Sequence, residues 1–200
     1  MGRKVGIMGG TFNPIHIGHL MLAEQAYEEF SLDEVVFLPS ARPPHKKGQT
    51  LSDNHRKEMI LLAIKDNPHF SFSSLEFERT GTTYTVDTMA ELHKRYPLDT
   101  FYFIIGADSF LALESWYKPE LLFQQTSFLV ATRDGHKREE LEQHKNELVQ
   151  KYQARIQFLD FPNIEISSSR IRNRVSKKAS ITYYVPETVK EYIYCHQLYL

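Results

Sequence analysis

The stretch Gly9-Gly10-Thr11-Phe12-Asn13-Pro14-Ile15-His16-Ile17-Gly18-His19 gathers a glycine pair, a hydroxyl and two histidines within eleven residues. It follows the apolar run Val5-Gly6-Ile7-Met8, which reads as a buried strand, and leads into Leu20-Met21-Leu22-Ala23-Glu24-Gln25-Ala26-Tyr27, whose apolar residues recur at helical spacing. The chemistry open to such a strand-to-helix turn is anion binding. Glycine lets the main chain approach a phosphate closely, and a helix N-terminus offers N–H groups that have no partner within the helix. His16 and His19, three residues apart, fall on one side of the incipient helix. Both can donate hydrogen bonds to phosphate oxygens and stabilise charge that builds during group transfer. A nucleoside triphosphate would engage all of these groups. Zinc would need a third and usually a fourth ligand, and no obvious set lies nearby. A purely structural turn accounts for Gly9 and Gly10 but leaves both histidines unexplained.

A second constellation lies near the other end of the chain, in Ile166-Ser167-Ser168-Ser169-Arg170-Ile171-Arg172. Serine before a helical stretch is a good N-cap, which explains one of the three. Hydroxyls, helix N–H groups and the Arg172 guanidinium together make a second anion cradle.

The elements that must position these groups can be read from periodicity. Glu34-Val35-Val36-Phe37-Leu38-Pro39 reads as a second strand, and residues 70–77 alternate in a β-rich pattern. Phe101-Tyr102-Phe103-Ile104-Ile105 is a continuous apolar run, as expected of a central strand covered on both faces. Residues 127–132 form another such run, and 155–161 a last, weaker one. Helical spacing runs through residues 55–65, 85–96, 137–152, 168–177 and 186–196, with Pro186 suited to a first helical turn. Strands alternating with helices predict a doubly wound α/β/α Rossmann-like sandwich, with a mainly parallel sheet and a small C-terminal helical end. Residues 40–53, with Pro43, Pro44, His45, Lys46, Lys47 and Gly48, lack periodicity and read as a functional loop.

The 200 residues predict one domain over 1–200, with 42% hydrophobic and 24% charged residues as in ordinary globular proteins. A net charge of −1 gives no global field to recruit nucleic acid or an acidic membrane. No signal peptide and no transmembrane-length segment is evident, so the cytoplasm is the expected compartment. The single cysteine, Cys195, excludes an intramolecular disulfide and reads as a packed side chain of the last helix. His55 and Arg56 could serve either structure or phosphate contact. His69, His93, His136, His144 and His196 lie in surface-like contexts.

The pattern G-G-T-F-x-P-x-H-x-G-H resembles the signature of the nucleotidyltransferase superfamily that transfers AMP or CMP. Ile166-Ser167-Ser168-Ser169-Arg170-Ile171-Arg172 resembles its I-S-S-T-x-I-R element, with Ser169 where threonine is commoner. The resemblance narrows in the middle of the chain. Thr83-Tyr84-Thr85-Val86-Asp87-Thr88 is similar to the S-Y-T-x-D-T block of bacterial nicotinate-mononucleotide adenylyltransferases. Gly106-Ala107-Asp108 with Trp116-Tyr117 is similar to their G-x-D and W-Y segments, and Pro43-Pro44-His45-Lys46 to their P-P-H-K loop.

That resemblance implies transfer of the adenylyl group of ATP to nicotinate mononucleotide, with release of pyrophosphate, in NAD biosynthesis. It implies that His16 and His19 are catalytic. Gly9, Gly10, Thr11, Phe12, Gly106, Asp108, Ser168, Ser169 and Arg172 would join them in binding ATP. Lys46, Tyr84, Thr85, Trp116 and Tyr117 would hold the mononucleotide, and Arg133 would line the nucleotide site. Trp116 can stack on a pyridine ring, and N–H groups at a helix start near Tyr84 and Thr85 can read the nicotinate carboxylate. Asp108 could meet a ribose hydroxyl or cap a helix. Mg²⁺ would enter with ATP, held by phosphates and water rather than by a protein metal site. The expected partners are these two small molecules, with no nucleic acid and no membrane; a homo-oligomer is compatible with the sequence. Other readings are a transferase of the same superfamily acting on another acceptor such as phosphopantetheine, or a nucleotide-binding sensor without turnover. A redox dinucleotide-binding protein fits less well, because the turn lacks G-x-G-x-x-G.

Overall fold

A computed structural model describes residues 2–42, 50–132, 138–162 and 164–200. Six strands form one sheet in the order β3-β2-β1-β4-β5-β6. They are β1 (Lys4–Gly10), β2 (Glu34–Pro39), β3 (Phe70–Phe72), β4 (Thr100–Gly106), β5 (Ser127–Thr132) and β6 (Arg155–Asp160). Every pairing is parallel. Parallel pairing requires a crossover each time, and helices supply it. α1 (Ile17–Glu29) and α2 (Asp53–Ile64) lie in the first half, with α3 (Thr85–Arg95) leading into β4. α4 (Ala107–Leu111), α5 (Pro119–Gln125) and α6 (Arg138–Tyr152) follow, and α7 (Ser168–Ser176) and α8 (Glu187–Cys195) close the chain.

The central strands carry side chains into two cores. On one face Met8, Phe37, Ile104 and Leu129 pack with residues of α1, α2, α7 and α8. On the other Val5, Ile7, Phe103 and Ile105 pack with residues of α3, α5 and α6. Alternation along β1 and β4 therefore serves two buried faces at once, which is why their sequences look continuously apolar. The chain winds outward from β1 to β3 and returns to begin β4 on the other side of β1. The order of winding reverses between β1 and β4, and in such sheets the crevice beyond the strands' carboxyl ends is where ligands bind.

Three expectations are corrected. Residues 70–77 do not form one strand, because pairing ends at Phe72 and the chain then turns. The Phe77 and Glu78 N–H groups both donate to the Ser74 carbonyl, and the Ser74 hydroxyl donates to Glu78. Pro186 stands just before α8, as its N-cap, rather than within its first turn. Cys195 is exposed at the end of α8, not packed. Among the described residues, no helix is long and apolar enough to cross a membrane.

Candidate active site

A cavity of about 420 Å³ opens at the reversal point between β1 and β4. Gly9, Gly10 and Thr11 come from the end of β1 and His19 from the first turn of α1. Gly106 ends β4, and Asp108 lies in the first turn of α4. Tyr84 and Thr85 stand at the N-terminus of α3, with Trp116 and Tyr117 beside them in the segment before α5. Ten residues singled out in the sequence thus meet around one space, although they span positions 9 to 117.

The histidine turn has a defined internal geometry. His16 is the N-cap of α1, and the His16 backbone N–H donates to His19 Nδ1 at 3.2 Å. That acceptance leaves Nε2 of a neutral His19 carrying the ring proton. The two imidazoles stack at 3.6 Å between centroids and 19° between planes. A Cβ at Gly18 would lie 3.2 Å from His16 Nδ1, so the glycine of H-x-G-H makes room for the first histidine ring. Gly9 acts in the same way, since a Cβ there would meet the Phe103 ring at 2.5 Å. His16 itself is buried, with His19 between the buried core and the cavity. Phe12 is also buried, at a φ of 48°, and packs edge-on against His19 at 5.0 Å. Its side chain therefore braces the turn, and any contact it makes with a nucleotide comes from its main chain.

The serine–arginine element reaches this turn from behind. Ser167, not Ser168, caps α7 by accepting the Arg170 N–H at 3.2 Å. Ser168 Oγ donates to the Pro14 carbonyl at 2.8 Å, and Arg172 Nη1 donates to the Asn13 carbonyl at 2.8 Å. Ser169 is exposed, its hydroxyl 3.1 Å from that of Ser167. None of the three lines the cavity in this structure. Lys46 and Arg133 lie outside the described residues.

One wall of the cavity is aromatic. Tyr84 and Tyr117 stack at 4.2 Å, and Trp116 meets Phe103 edge-on at 6.2 Å. Trp116 is half-buried, so it both packs on the core and faces the cavity. Asp108 is not a helix cap, because Gly106 holds that position for α4. Ser40, Glu76 and Ser109, missed by sequence reasoning, also line the cavity, as does Thr83, which entered only as part of the Thr83–Thr88 block without a role of its own. Glu76 carried a signal only as a polar residue beyond β3.

Arg56 and several of the other histidines make structural contacts, while His45 and His136 lie outside the described residues. The Arg56 guanidinium is buried and donates to the Thr11 and Ser40 carbonyls, with Asp53 as its ion pair. His55 Nδ1 lies 3.0 Å from the Tyr192 hydroxyl. His69 stacks on Tyr27, His93 contacts the Gln125 carbonyl, and His144 packs edge-on against Phe110, so these three are half-buried and held by specific contacts.

Comparison with known proteins gives these groups a context. Residues 7–174 match the family model described as cytidylyltransferase-like. The chain is 50% identical over 199 residues to a protein of Lachnoclostridium phytofermentans named "Probable nicotinate-nucleotide adenylyltransferase", covering 99% of this chain and 100% of that one. A protein of the same name from Carboxydothermus hydrogenoformans is 41% identical, with 99% and 98% covered. In structure, the chain resembles the Plasmodium falciparum nicotinic acid mononucleotide adenylyltransferase complexed with NaAD. The TM-score is 0.82 at 22% identity, over 98% of this chain and 97% of that one. Full-length identity at this level, together with a histidine turn and an aromatic wall facing one cavity, makes the chain a member of the nicotinate-nucleotide adenylyltransferase family.

Proposed function

We propose that this protein catalyses adenylyl transfer from ATP to nicotinate mononucleotide, giving nicotinate adenine dinucleotide and pyrophosphate, as a step of NAD biosynthesis in the cytoplasm. The observation that carries the reading is the cavity at the reversal point, which is lined both by the histidine turn and by Tyr84, Thr85, Trp116 and Tyr117. The first group suits a triphosphate and the second a flat, carboxylated ring.

The chemistry needs little from the protein beyond placement and charge stabilisation. A phosphate monoester, with a second pKa of about 6, is already largely dianionic at neutral pH. Its oxygen attacks the α-phosphorus of ATP. The bond from that phosphorus to the bridging oxygen breaks, and pyrophosphate leaves with the electron pair. No general base and no covalent enzyme intermediate is required. His19, donating from Nε2, stabilises charge on the α-phosphate and the leaving group, and His16 orients it through the backbone N–H to Nδ1 contact. Thr11 and the main chain of Gly9 and Gly10 hold the triphosphate, with Ser168, Ser169 and Arg172 closing from the α7 side. Asp108 receives a ribose hydroxyl. Trp116 stacks on the pyridine ring, the α3 N-terminus takes the carboxylate, and Lys46 neutralises the mononucleotide phosphate.

Among the described residues, no three His, Cys, Asp or Glu side chains converge in a way that would hold a metal ion. Mg²⁺ would enter with ATP, held mainly by triphosphate oxygens and water, and would neutralise phosphate charge.

The test is pyrophosphate release with ATP and Mg²⁺, comparing nicotinate mononucleotide with nicotinamide mononucleotide. N–H groups aimed at a carboxylate meet an NH₂ group on the amide, so the acid is expected to be strongly preferred. Equal use of both would remove the carboxylate reader, and activity with neither would overturn the assignment.

A further inference from the structure

Residues 40–42 link β2 to the segment carrying Lys46, and side chains from three other parts of the chain hold them. Arg56, 1% exposed, donates from Nη1 to the Ser40 carbonyl at 2.6 Å and to the Thr11 carbonyl at 3.0 Å. Glu76, 6% exposed, accepts the Ala41 N–H on Oε2 at 3.3 Å and the Thr88 hydroxyl on Oε1 at 2.8 Å. Thr83 Oγ1 accepts the Arg42 N–H at 3.4 Å. The peptide between Ser40 and Ala41 thus accepts from Arg56 on one side and donates to Glu76 on the other. A continuous polar chain runs from Thr11 in the histidine turn, through Arg56, this peptide and Glu76, to Thr88 in α3. In such a chain each hydrogen bond polarises the next.

The two ends of that chain are the two halves of the cavity. Thr11 belongs to the triphosphate side, and α3 presents Tyr84 and Thr85 to the mononucleotide side. We propose that Arg56 and Glu76 form a buried strut that sets the spacing between the two substrate half-sites, so that occupation of one favours binding at the other. This rests on the two-substrate reading above. Both are positioning residues, since each acts through main chain or through Thr88. A buried arginine and a buried glutamate on one hydrogen-bonded path are costly to desolvate, and an apolar pair would serve packing alone equally well. Apolar side chains could not fix the separation of two carbonyls and an N–H group.

Calorimetry with the full chain tests the strut. The dissociation constant for nicotinate mononucleotide is measured alone and again with saturating Mg²⁺ and α,β-methylene ATP, whose adenylyl group cannot be transferred. The wild type is expected to bind the mononucleotide about tenfold more tightly in the presence of the analogue, within the usual range of site-to-site coupling. Glu76→Gln keeps the shape but replaces one acceptor oxygen by a donor NH₂ group. Arg56→Lys cannot bridge both carbonyls and Asp53 in a fixed fork. Each is expected to bring the ratio near one, and the double variant is expected to add nothing further, as for members of one network. A merely structural role would lower the melting temperature and leave the ratio unchanged. If Arg56→Lys does not fold, Glu76→Gln decides. A wild-type ratio of one, or an unchanged ratio in folded Glu76→Gln, overturns the strut. A wild type that binds neither ligand overturns the functional reading instead.

Discussion

His19 sits in the first turn of α1 with its Nδ1 already accepting a main-chain N–H, and this constrains what the ring can do. A neutral imidazole with one nitrogen accepting must donate from the other, so the hydrogen bond at Nδ1 selects the tautomer useful to a phosphate. Phe12, packed edge-on against the ring, and His16, stacked on it, restrict its orientation. Preorganisation of this kind is what makes a transition-state donor effective, because no reorganisation is needed as charge develops. His19→Ala is therefore expected to lower kcat by about 10²–10³, the usual loss for a donor of this type. The Michaelis constants for both substrates should change little. Steady-state pyrophosphate release measures both quantities, and an unchanged kcat would remove His19 from the chemistry. The two-histidine spacing was legible because a purely structural turn would not need two imidazoles on one side of a helix start. Gly18 was legible as part of the motif, but its reason, the His16 ring at 3.2 Å, required the structure.

At the scale of elements, the site depends on β1 and β4 lying side by side, since the cavity opens where both end. Their far ends are tied by Arg3 and Asp99. The Arg3 N–H donates to Asp99 Oδ1 at 3.0 Å, and the guanidinium reaches Oδ2 at 2.7 Å. These hydrogen bonds hold the Asp99 carboxyl below its ordinary value. A depressed folded-state value means that the stabilisation is present above the ordinary carboxylate range and is lost as the pH falls through the folded-state value. Half-exposure of Arg3 places the pair among surface ion pairs, worth a few tenths to about 1 kcal/mol. Asp99→Asn should thus melt at a lower temperature than the wild type at pH 7, with the two melting temperatures converging as the pH falls below the ordinary carboxylate range. Thermal melts across pH check this, and a gap that persists in acid would contradict it. The continuous apolar runs of β1 and β4 were readable because burial on both faces leaves no polar alternation. The end of β3 at Phe72 was not readable, because the residues beyond it answer to distant partners. Glu76 turns inward toward Ala41 and Thr88, and no local pattern announces a carboxylate whose partners are 35 positions before it and 12 after.

At the scale of the whole molecule, the C-terminal helical end is bound to the histidine turn rather than merely appended to the sheet. The Ile17 N–H donates to the Tyr184 carbonyl at 3.0 Å, and Ser168 and Arg172 donate to the Pro14 and Asn13 carbonyls. The Tyr199 hydroxyl donates to Asn13 Oδ1 at 2.9 Å, so the penultimate residue supports the turn that begins near residue 9. Buried main-chain groups in an irregular turn need such partners, and here residues 168–199 supply them from the opposite end of the sequence. Burial pushes the Tyr199 phenol above its ordinary value, which keeps the hydroxyl protonated as a donor well into alkaline conditions. Tyr199→Phe removes that donor and keeps the ring. It should cost about 0.5–1.5 kcal/mol at neutral pH, the net worth of one hydrogen bond. A raised folded-state value gives stability that is complete below the ordinary phenol value and declines as the pH rises past it, because the unfolded chain ionises first. The wild type should therefore lose its advantage over Tyr199→Phe as the pH climbs above about 10. Since Asn13 lies three residues before His16, the variant is also expected to lower kcat more than it raises either Michaelis constant. Thermal melts at pH 7 and above pH 10, set beside steady-state rates at pH 7, decide the matter. Equal stability and equal kcat in the two proteins would show that the turn holds its geometry without the C-terminus.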